Sequence, residues 1–503
     1  MTTPLGDPRP VHPFTRRAVI ALGGAVGLAA LAACSGAGSP GGSPIASGNT
    51  ALGPGTYTAT FGSSSASGSG EAAGGPPPSG GAPPSGGAPP SGGAPDGGAG
   101  NGEGGTPPSG SAEGGGAPPS AGAAPSGGTP PSGSAPGGGA PPSGGAPGGA
   151  SGGGGTSNTQ LLSGAYLVDG IAATIDGGTW ASTTADQNVF LVVNGGSLTV
   201  TNATITKSGD STNEDACNFY GLNSAVLVVG EGSSATLAGC TVTTAAAGAN
   251  AVFAASSATI TVDGITIRTS KDSSRGLDAT YGGTVTAKDV DISTTGAHCA
   301  PLATDRGNGT ITVTGTSTLA SAGDGSPLVY STGDISVTGA TGRATGAQTM
   351  VIEGKNRITV TDCSFSTSGT TGMMIYQSYS GDAADSDATA ETSSMVIRDS
   401  TITSTTDKPM IYVTNTTCTV EVTSSKFGHA SGTPLLSLAE DRWGTTGSNG
   451  GHATVTFSDC VLTGALEADD TSSATVALKG TRLTGSASGD VTLTKDAAST
   501  WKH

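Results

Sequence analysis

The chain has 503 residues, of which 87 are glycine, and its formal net charge is −17. Hydrophobic residues make up 34%, aromatic residues 4% and charged residues 11% of it, and the apolar and charged fractions lie below those of ordinary globular domains. The composition therefore excludes one packed enzyme core that extends over the whole chain. The acidic balance argues against nucleic acid as a partner, because phosphates need a basic surface.

The first 34 residues have the pattern of an export signal. Arg16 and Arg17 precede an apolar run, residues 18–33, which is short for a membrane span and of normal length for a signal sequence. The run ends in Leu31-Ala32-Ala33-Cys34, which resembles a bacterial lipobox. The resemblance implies a signal peptide over 1–33, lipidation of Cys34 and a place on the outer face of the cytoplasmic membrane. The two arginines also resemble a twin-arginine signal, and the choice between that route and general secretion stays open.

Residues 34–157 are predicted to form a lipidated N-terminus and a disordered linker. A Pro-Pro-Ser-Gly-Gly-Ala unit repeats from Pro77 to Ala94, and the segment contains no Lys or Arg. It shows no apolar periodicity, so no core offsets the entropy of ordering it. As a coil, residues 35–157 would span about 60 Å, from ~5.5 Å × √n. A short apolar piece, Thr56–Phe61, is expected to pair with a partner that the sequence does not identify.

Residues 158–503 alternate apolar residues with Thr and Ser, which is typical of β-strands. An apolar-Thr-apolar motif recurs, and its second apolar residue falls at positions 200, 237, 262, 287, 313, 337, 360, 397, 422, 457, 478 and 493. A unit near 24 residues, with occasional longer steps, predicts an all-β domain: a right-handed parallel β-helix of about twelve coils. A β-sandwich is the alternative fold. Leucine-rich repeats are excluded, because the units lack helical halves.

The cysteines of this domain are predicted from their register. Cys240, Cys363 and Cys460 occupy the same inward position of coils that lie several repeats apart. Cys240 and Cys363 would be separated by about 24 Å at ~4.8 Å per coil, which is beyond disulfide reach. We therefore expect these three to be buried free thiols. The states of Cys217, Cys299 and Cys418 stay open, and no Cys or His cluster predicts a zinc site.

Three insertions interrupt the repeats, at Lys207–Asn223, Tyr376–Ser394 and Glu440–His452. Insertions into solenoid coils often carry function. The register places the second and third at one corner, two coils apart. Aromatic and charged residues of neighbouring coils fall in line with them. The candidate binding or catalytic residues of this stripe are Asp305, Arg306, Tyr330, Glu353, Lys355, Tyr376, Gln377, Tyr379, Asp382, Asn415, Glu440, Asp441, Arg442 and Trp443.

The stripe allows three interpretations. Aromatic rings stack on sugars, while carboxylates, amides and Arg bind hydroxyls or uronates, so a glycan-binding groove is expected. Glu440 and Asp441 could instead act as acid and base in a glycoside hydrolase, or Asp residues could hold Ca²⁺ beside a lysine or arginine base in a lyase. Apart from that Ca²⁺, no cofactor or metal is expected. In the third interpretation, Asp–Arg and Glu–Lys pairs are only salt bridges at coil corners.

Catalytic motifs of other β-helix enzymes are incomplete here. Asn415-Thr416-Thr417 lacks the Asp of the polygalacturonase Asn-Thr-Asp motif, and Gly451-His452-Ala453 lacks the second Gly of Gly-His-Gly. The Arg-x-Pro-x-x-Arg segment of pectate lyases has no match. These departures favour binding over catalysis, and fold alone does not transfer function.

Residues 158–503 as a whole resemble adhesin-like, pectin-lyase-like right-handed β-helix surface lipoproteins of bacteria. The resemblance is carried by Asp215–Ser224, Asp305–Gly309, Glu353–Asn356, Tyr376–Asp382, Tyr412–Thr416 and Arg442–Gly451. It implies the fold, a surface location and a lipid contact with the membrane. The expected function is display of a surface that binds polysaccharide or another cell. The alternatives are a tethered polysaccharide lyase or glycoside hydrolase and a passive envelope component, and the oligomeric state stays open.

Overall fold

A computed structural model describes residues 52–61, 158–378 and 392–503. The predicted signal residues Arg16 and Arg17, the predicted lipidation site Cys34 and two candidate site residues, Tyr379 and Asp382, lie outside the described residues.

The described residues form one short helix and forty strands. The helix is α1, Glu214–Tyr220. The first strands are β1 Gly55–Phe61, β2 Asn158–Asp169, β3 Ala172–Asp176, β4 Thr179–Ser182, β5 Gln187–Val193, β6 Ser197–Thr201, β7 Thr204–Lys207, β8 Val226–Val229, β9 Ser234–Ala238, β10 Thr241–Thr244, β11 Val252–Ala255, β12 Thr259–Asp263 and β13 Thr266–Thr269. The middle strands are β14 Leu277–Thr280, β15 Thr284–Lys288, β16 Asp291–Thr294, β17 Leu302–Thr304, β18 Thr310–Thr314, β19 Thr318–Ser321, β20 Val329–Ser331, β21 Asp334–Thr338, β22 Thr341–Ala344, β23 Met350–Glu353, β24 Arg357–Thr361, β25 Ser364–Thr367 and β26 Met373–Tyr376. The last strands are β27 Ser393–Arg398, β28 Thr401–Ser404, β29 Ile411–Thr414, β30 Thr416–Thr423, β31 Lys426–Gly428, β32 Leu436–Leu438, β33 Gly451–Ser458, β34 Val461–Thr463, β35 Leu466–Ala468, β36 Ser473–Lys479, β37 Arg482–Thr484, β38 Ala487–Ser488, β39 Asp490–Lys495 and β40 Thr500–Lys502.

Every third strand joins the same sheet, so the predicted parallel β-helix is confirmed. Sheet A runs from β1 and β2 through β5 and β8 to β38, and sheet B runs from β3 through β6 to β39. The third side is sheet C, from β4 to β31, continued by the separate ladder β34–β37–β40. Sheet B has thirteen strands, one more than the twelve repeats predicted. The additional coil is the first, in which Ile175 of β3 pairs with Val200 of β6.

The core lies between the three sheets and follows the alternation of the sequence. In sheet B, Leu237, Val262 and Ala287 stack in register, and all three are buried. The alternate residues Thr236, Thr261 and Thr286 face outward, because neighbouring side chains of a strand point to opposite faces. Each coil buries its apolar residues against the next, which is why a single coil could not fold alone.

The corner from sheet B to sheet C explains the recurrent Gly, Asn and Asp residues. In the second to the twelfth coil, this corner contains one residue in the left-handed conformation, which Gly adopts freely and Asn or Asp adopt at small cost. These residues are Asn202, Gly239, Gly264, Asp289, Gly315, Gly339, Asp362, Asp399, Ser424, Asp459 and Gly480.

All six cysteines in the described part of the chain are buried and free. Cys240, Cys363 and Cys460 each follow the left-handed corner residue, so their predicted burial as free thiols is confirmed. The structure also assigns the three that the sequence left open. Cys217 lies in α1, Cys299 lies before β17, and Cys418 points into the core from β30.

The first insertion folds into α1, which lies on the outer face of sheet A. The Asn213 side chain caps the helix by accepting a hydrogen bond from the Ala216 amide at 3.0 Å, and Gly221 ends it with a φ of 72°. Phe219 and Tyr220 pack with Leu227 and Phe253, outward residues of β8 and β11. Among the described residues, no helix is long and apolar enough to cross a membrane.

The apolar piece Thr56–Phe61 forms strand β1, and its partner is β2. It pairs antiparallel with the first half of β2, from Gly55 opposite Gly164 to Phe61 opposite Asn158. The Phe61 ring lies 4.7 Å from the Tyr220 ring and 5.4 Å from the Tyr281 ring. The two-stranded ribbon therefore covers the same outer face of sheet A as α1.

Candidate functional site

The second and third insertions leave the β-helix at the same corner, as predicted. The second follows β26 and the third follows β32, and both strands lie in sheet A on either side of β29. The turn that carries Asn415 lies between them. Parallel pairing places Val351 beside Tyr330 and Met374. The predicted stripe therefore follows the outer face of sheet A and the C-terminal ends of its strands.

Glu353 is the polar centre of this stripe. It lies at the end of β23 and is 2% exposed. One carboxylate oxygen accepts hydrogen bonds from the Tyr330 hydroxyl at 2.5 Å and the Tyr376 hydroxyl at 2.7 Å. The Ser378 hydroxyl donates to the other oxygen. A buried carboxylate needs such donors, because an unsatisfied one is costly. Glu353 therefore fixes two aromatic rings from neighbouring coils.

Trp443 is buried, which differs from the open stacking platform that the glycan interpretation gave it. Its ring is 5.3 Å from the Tyr376 ring, and only 7% of the residue is exposed. The Arg442 guanidinium lies over the outer side of the indole, 4.8 Å from the ring centroid. Trp443 thus anchors the third insertion to sheet A. The aromatic residues of this cluster that stay half-buried are Tyr330 and Tyr412.

Asn415 joins the two insertions. Its side-chain amide donates to the carbonyl of Gln377 at 2.6 Å, and its backbone amide donates to the carbonyl of Asn449 at 2.9 Å. Asn449 in turn donates to the carbonyls of Asp441 and Trp443. Gly444 must lack a side chain here, because a Cβ atom would lie 2.2 Å from the Asn415 side-chain oxygen. These contacts hold the base of the third insertion rigidly against the second.

The outer surface of the third insertion is polar and exposed. Asp441 accepts a hydrogen bond from the Tyr412 hydroxyl at 3.1 Å and from the Arg442 backbone amide at 2.7 Å. Burial raises the pKa of Tyr412 well above that of an ordinary phenol, and the charge of Asp441 raises it further, so its hydroxyl stays a donor. Glu440 accepts from the Gly447 amide at 2.8 Å, and Asp469 accepts from the Glu440 amide at 2.6 Å. Tyr412, Asp441 and Arg442 therefore form the accessible part of the stripe.

Asp305 and Arg306 belong to a different cluster from the one around Glu353. Asp305 forms an ion pair with Arg275, with 2.5 Å between Nε and Oδ2, and both residues are buried. Arg306 lies over the Phe219 ring of α1, with 3.8 Å between the guanidinium carbon and the ring centroid. Asp305 therefore takes part in a salt bridge, and one of its partners is Arg275 of the preceding coil. Lys355 lies half-buried in the turn between β23 and β24.

Arg275 is the residue of this region that the sequence analysis missed. It donates to Asn218 of α1 at 2.5 Å and lies 3.7 Å from Asp278. Burial alone would lower the pKa of Arg275, but the nearby carboxylate of Asp305 outweighs it and keeps the guanidinium charged. The sequence did offer one indication of this pair: Arg275 precedes Asp278 by three positions, and Gly276 lies between them.

Asp278 is completely buried beside this ion pair. Burial raises the pKa of its carboxyl well above the ordinary value, and the negative charge of Asp305 raises it further. Among the described residues, no side chain donates a hydrogen bond to either oxygen of Asp278. A protonated Asp278 that donates to Asp305 satisfies both observations.

A cavity of about 370 Å³ opens beside the first insertion, at the corner where sheet C turns into sheet A. Ser211, Glu214, Asp272, Ser273 and His298 line it together with Ala247 and Gly248. Burial lowers the pKa of His298, and the charge of Arg275 lowers it further, so the imidazole is neutral at physiological pH. Glu214 already accepts a hydrogen bond from Ser273, and Asp272 accepts one from the Ala297 amide at 2.9 Å.

Within the ranges that the structure describes, no three His, Cys, Asp or Glu side chains are grouped closely enough to hold a metal ion. The accessible groups of the stripe are thus a phenol, a carboxylate and a guanidinium. Such groups can stack on and hydrogen-bond a hydroxyl-rich ligand.

Comparison with known proteins identified no relative of this chain. No protein-family model, no curated protein and no solved structure matches the chain. The function has to be inferred from the residues and geometry described above.

Proposed function

We propose that this protein is an exported, lipid-anchored surface protein whose β-helix binds polysaccharide in an adhesin-like manner. The observation that supports the proposal most is the accessible stripe of Tyr330, Tyr412, Asp441 and Arg442 on a rigid base. Glu353 and Asn415 fix that base from beneath. A site of this kind loses little conformational entropy on binding, since its groups are held in place before the ligand arrives.

The charge of the site restricts the ligand. The protein is acidic overall, with a net charge of −17. Its surface would therefore repel a strongly anionic polymer everywhere except near Arg442. Half-buried tyrosine rings present one face for stacking on the apolar side of a sugar ring. Neutral or weakly acidic glycans therefore fit this surface best.

The buried state of Glu353 argues for binding rather than catalysis by that residue. Its two oxygens accept three hydroxyl hydrogen bonds from protein side chains. A general acid or base must instead reach the proton that it transfers within hydrogen-bond distance. We assign Glu353 to positioning the tyrosines.

The test is a glycan array with the chain from residue 35 onward, read for both retention and product release. The chain must include β1, because Phe61 and Ala59 are buried against the domain. We expect retention without products. Tyr412→Ala should weaken binding roughly tenfold, about the 1.4 kcal/mol that a tenfold change represents, whereas Tyr412→Phe should keep the stacking ring and most of the affinity.

Arg442→Ala and Arg398→Ala form a matched pair of charge variants. Arg398 is an exposed arginine on sheet B, where its guanidinium lies 3.8 Å from Glu421. Only the Arg442 variant should lose retention. Equal losses in both would indicate nonspecific charge binding, and product release by the unaltered protein would move it to the lyase or hydrolase class. No retention of any glycan would contradict the proposal.

A further inference from the structure

The ribbon formed by β1 and β2 changes what the low-complexity segment can do. Phe61 at the end of β1 pairs directly with Asn158 at the start of β2. Residues 62–157, which are 96 residues, therefore begin and end at one strand pair. The segment is the loop of an antiparallel hairpin, whereas the sequence predicted a spacer in series between Cys34 and the β-helix.

The hairpin is held by more than backbone pairing. Seven residue pairs connect β1 to β2, and the Leu167 amide donates to the Gly53 carbonyl at 3.0 Å just beyond them. Phe61 and Ala59 are 1% and 2% exposed. They share an apolar cluster with Leu162 and Phe253, so β1 fills a groove on the outer face of sheet A.

β1 also covers an apolar face of sheet A that would otherwise be exposed to solvent. The outward residues Leu191, Leu227 and Phe253 of consecutive coils are apolar and fully buried in this cluster. An exposed apolar face of this kind on a β-protein favours association with other chains. Among the described strand pairs, β1 with β2 is the only antiparallel one, which sets this ribbon apart from the coils.

We propose that β1 is a clasp that shortens the tether: it docks residues 55–61 onto the β-helix, so that the reach of the domain from its N-terminal attachment point is set by residues 35–54. As a coil, those 20 residues span about 25 Å, compared with about 60 Å for residues 35–157, from ~5.5 Å × √n. The consequence for distance from a membrane rests on the proposed lipid anchor, but the clasp itself does not.

The docked strand is tested by cross-linking in the unlipidated chain from residue 34. Thr60 and Thr159 face each other with 3.4 Å between their hydroxyl oxygens, and both are exposed. Thr60→Cys with Thr159→Cys should form a disulfide within one molecule on mild oxidation. The matched control is Thr56→Cys with Thr159→Cys, since Thr56 pairs four residues away with Ser163. It should cross-link at least tenfold more slowly.

The reach is tested by energy transfer between dyes on Cys34 and on a cysteine at Ile171, an exposed residue of the first coil. The six buried cysteines are protected from labelling. Removing residues 66–153 should leave the separation unchanged if β1 is docked, because the deleted segment lies within the hairpin loop. A tether in series would instead bring the dyes markedly closer. Phe61→Ala should release β1 and increase the separation about twofold.

Three results would overturn the clasp. They are a deletion that shortens the dye separation, equal cross-linking rates for the two cysteine pairs, and a disulfide found only between two molecules. The last result would show that β1 docks on a second copy of the chain. None of these measurements uses a glycan, so failure of the clasp and failure of the proposed function are distinguishable.

Discussion

Replacing Asp278 by asparagine tests the charge state of the buried cluster around Arg275. Asp278 is fully buried, and the carboxylate of Asp305 is its side-chain hydrogen-bonding neighbour. A protonated Asp278 donates to that carboxylate. In Asp278→Asn the side-chain amide can donate in the same place, and no proton has to be bound. The substitution therefore keeps the shape and hydrogen bond while removing the titration.

The sign of the pH effect follows from the raised pKa. The unfolded chain releases the Asp278 proton near pH 3.8, whereas the folded protein keeps it to a much higher pH because burial and Asp305 oppose ionisation. The folded state then binds one more proton than the unfolded state, so its stability falls as pH rises through this interval. The slope is about 1.4 kcal/mol per pH unit for one proton.

The assay is urea unfolding of the unaltered protein and of Asp278→Asn at pH 5 and pH 6. The difference in unfolding free energy should shift in favour of the variant as the pH rises, by at most the ~1.4 kcal/mol that one proton contributes over one unit. Since His298 is present in both proteins, its titration largely cancels in the difference. Asp263→Asn, at an exposed position of β12, is the control for loss of one carboxylate. Parallel pH profiles for the protein and the Asp278 variant would refute a buried, protonated Asp278.

Three further predictions concern the core and the base of the site. Glu353→Leu should lower the unfolding free energy by about 1–3 kcal/mol, because it removes the carboxylate that accepts from the buried Tyr376 hydroxyl. Glu353→Gln keeps an acceptor and should cost less. Equal losses for the two variants in urea unfolding would count against the hydrogen-bond network around Glu353. Phe365→Ala should cost about 3–5 kcal/mol, since the ring fills the space beside Gly342, and a small loss would show that the core collapses around the cavity. The six described cysteines should react with a thiol reagent only after unfolding, because all are buried and burial raises the pKa of Cys418 to about 12; fast labelling of the native protein would contradict their placement.

The repeat architecture was readable from the sequence because it depends on local pattern. Alternation placed Leu237 and Val262 inward, and the 24-residue step placed them in register. The same register located the second and third insertions at one corner and predicted that Cys240, Cys363 and Cys460 cannot bridge one another. The first coil was missed, although Ala173-Thr174-Ile175 of β3 fits the same pattern as Ala235-Thr236-Leu237 of β9.

The contents of the stripe depended on tertiary packing. The sequence placed Trp443 and Tyr376 near each other but could not show that the rings pack together and become buried, because burial depends on how the third insertion folds back. It likewise paired Asp305 with its chain neighbour Arg306. The stacking of neighbouring coils brings Arg275 to Asp305, and the fold of α1 onto sheet A brings Phe219 to Arg306.

The sequence by itself determined the β-helix, because each coil repeats a two-residue alternation and a corner that needs Gly, Asn or Asp. It could not determine where Thr56–Phe61 pairs, since 96 residues without apolar periodicity separate β1 from β2. Pairing across such a distance is selected by the shape and apolarity of the groove that receives the strand. That groove exists only when Leu191, Leu227 and Phe253 of successive coils are stacked in the folded domain.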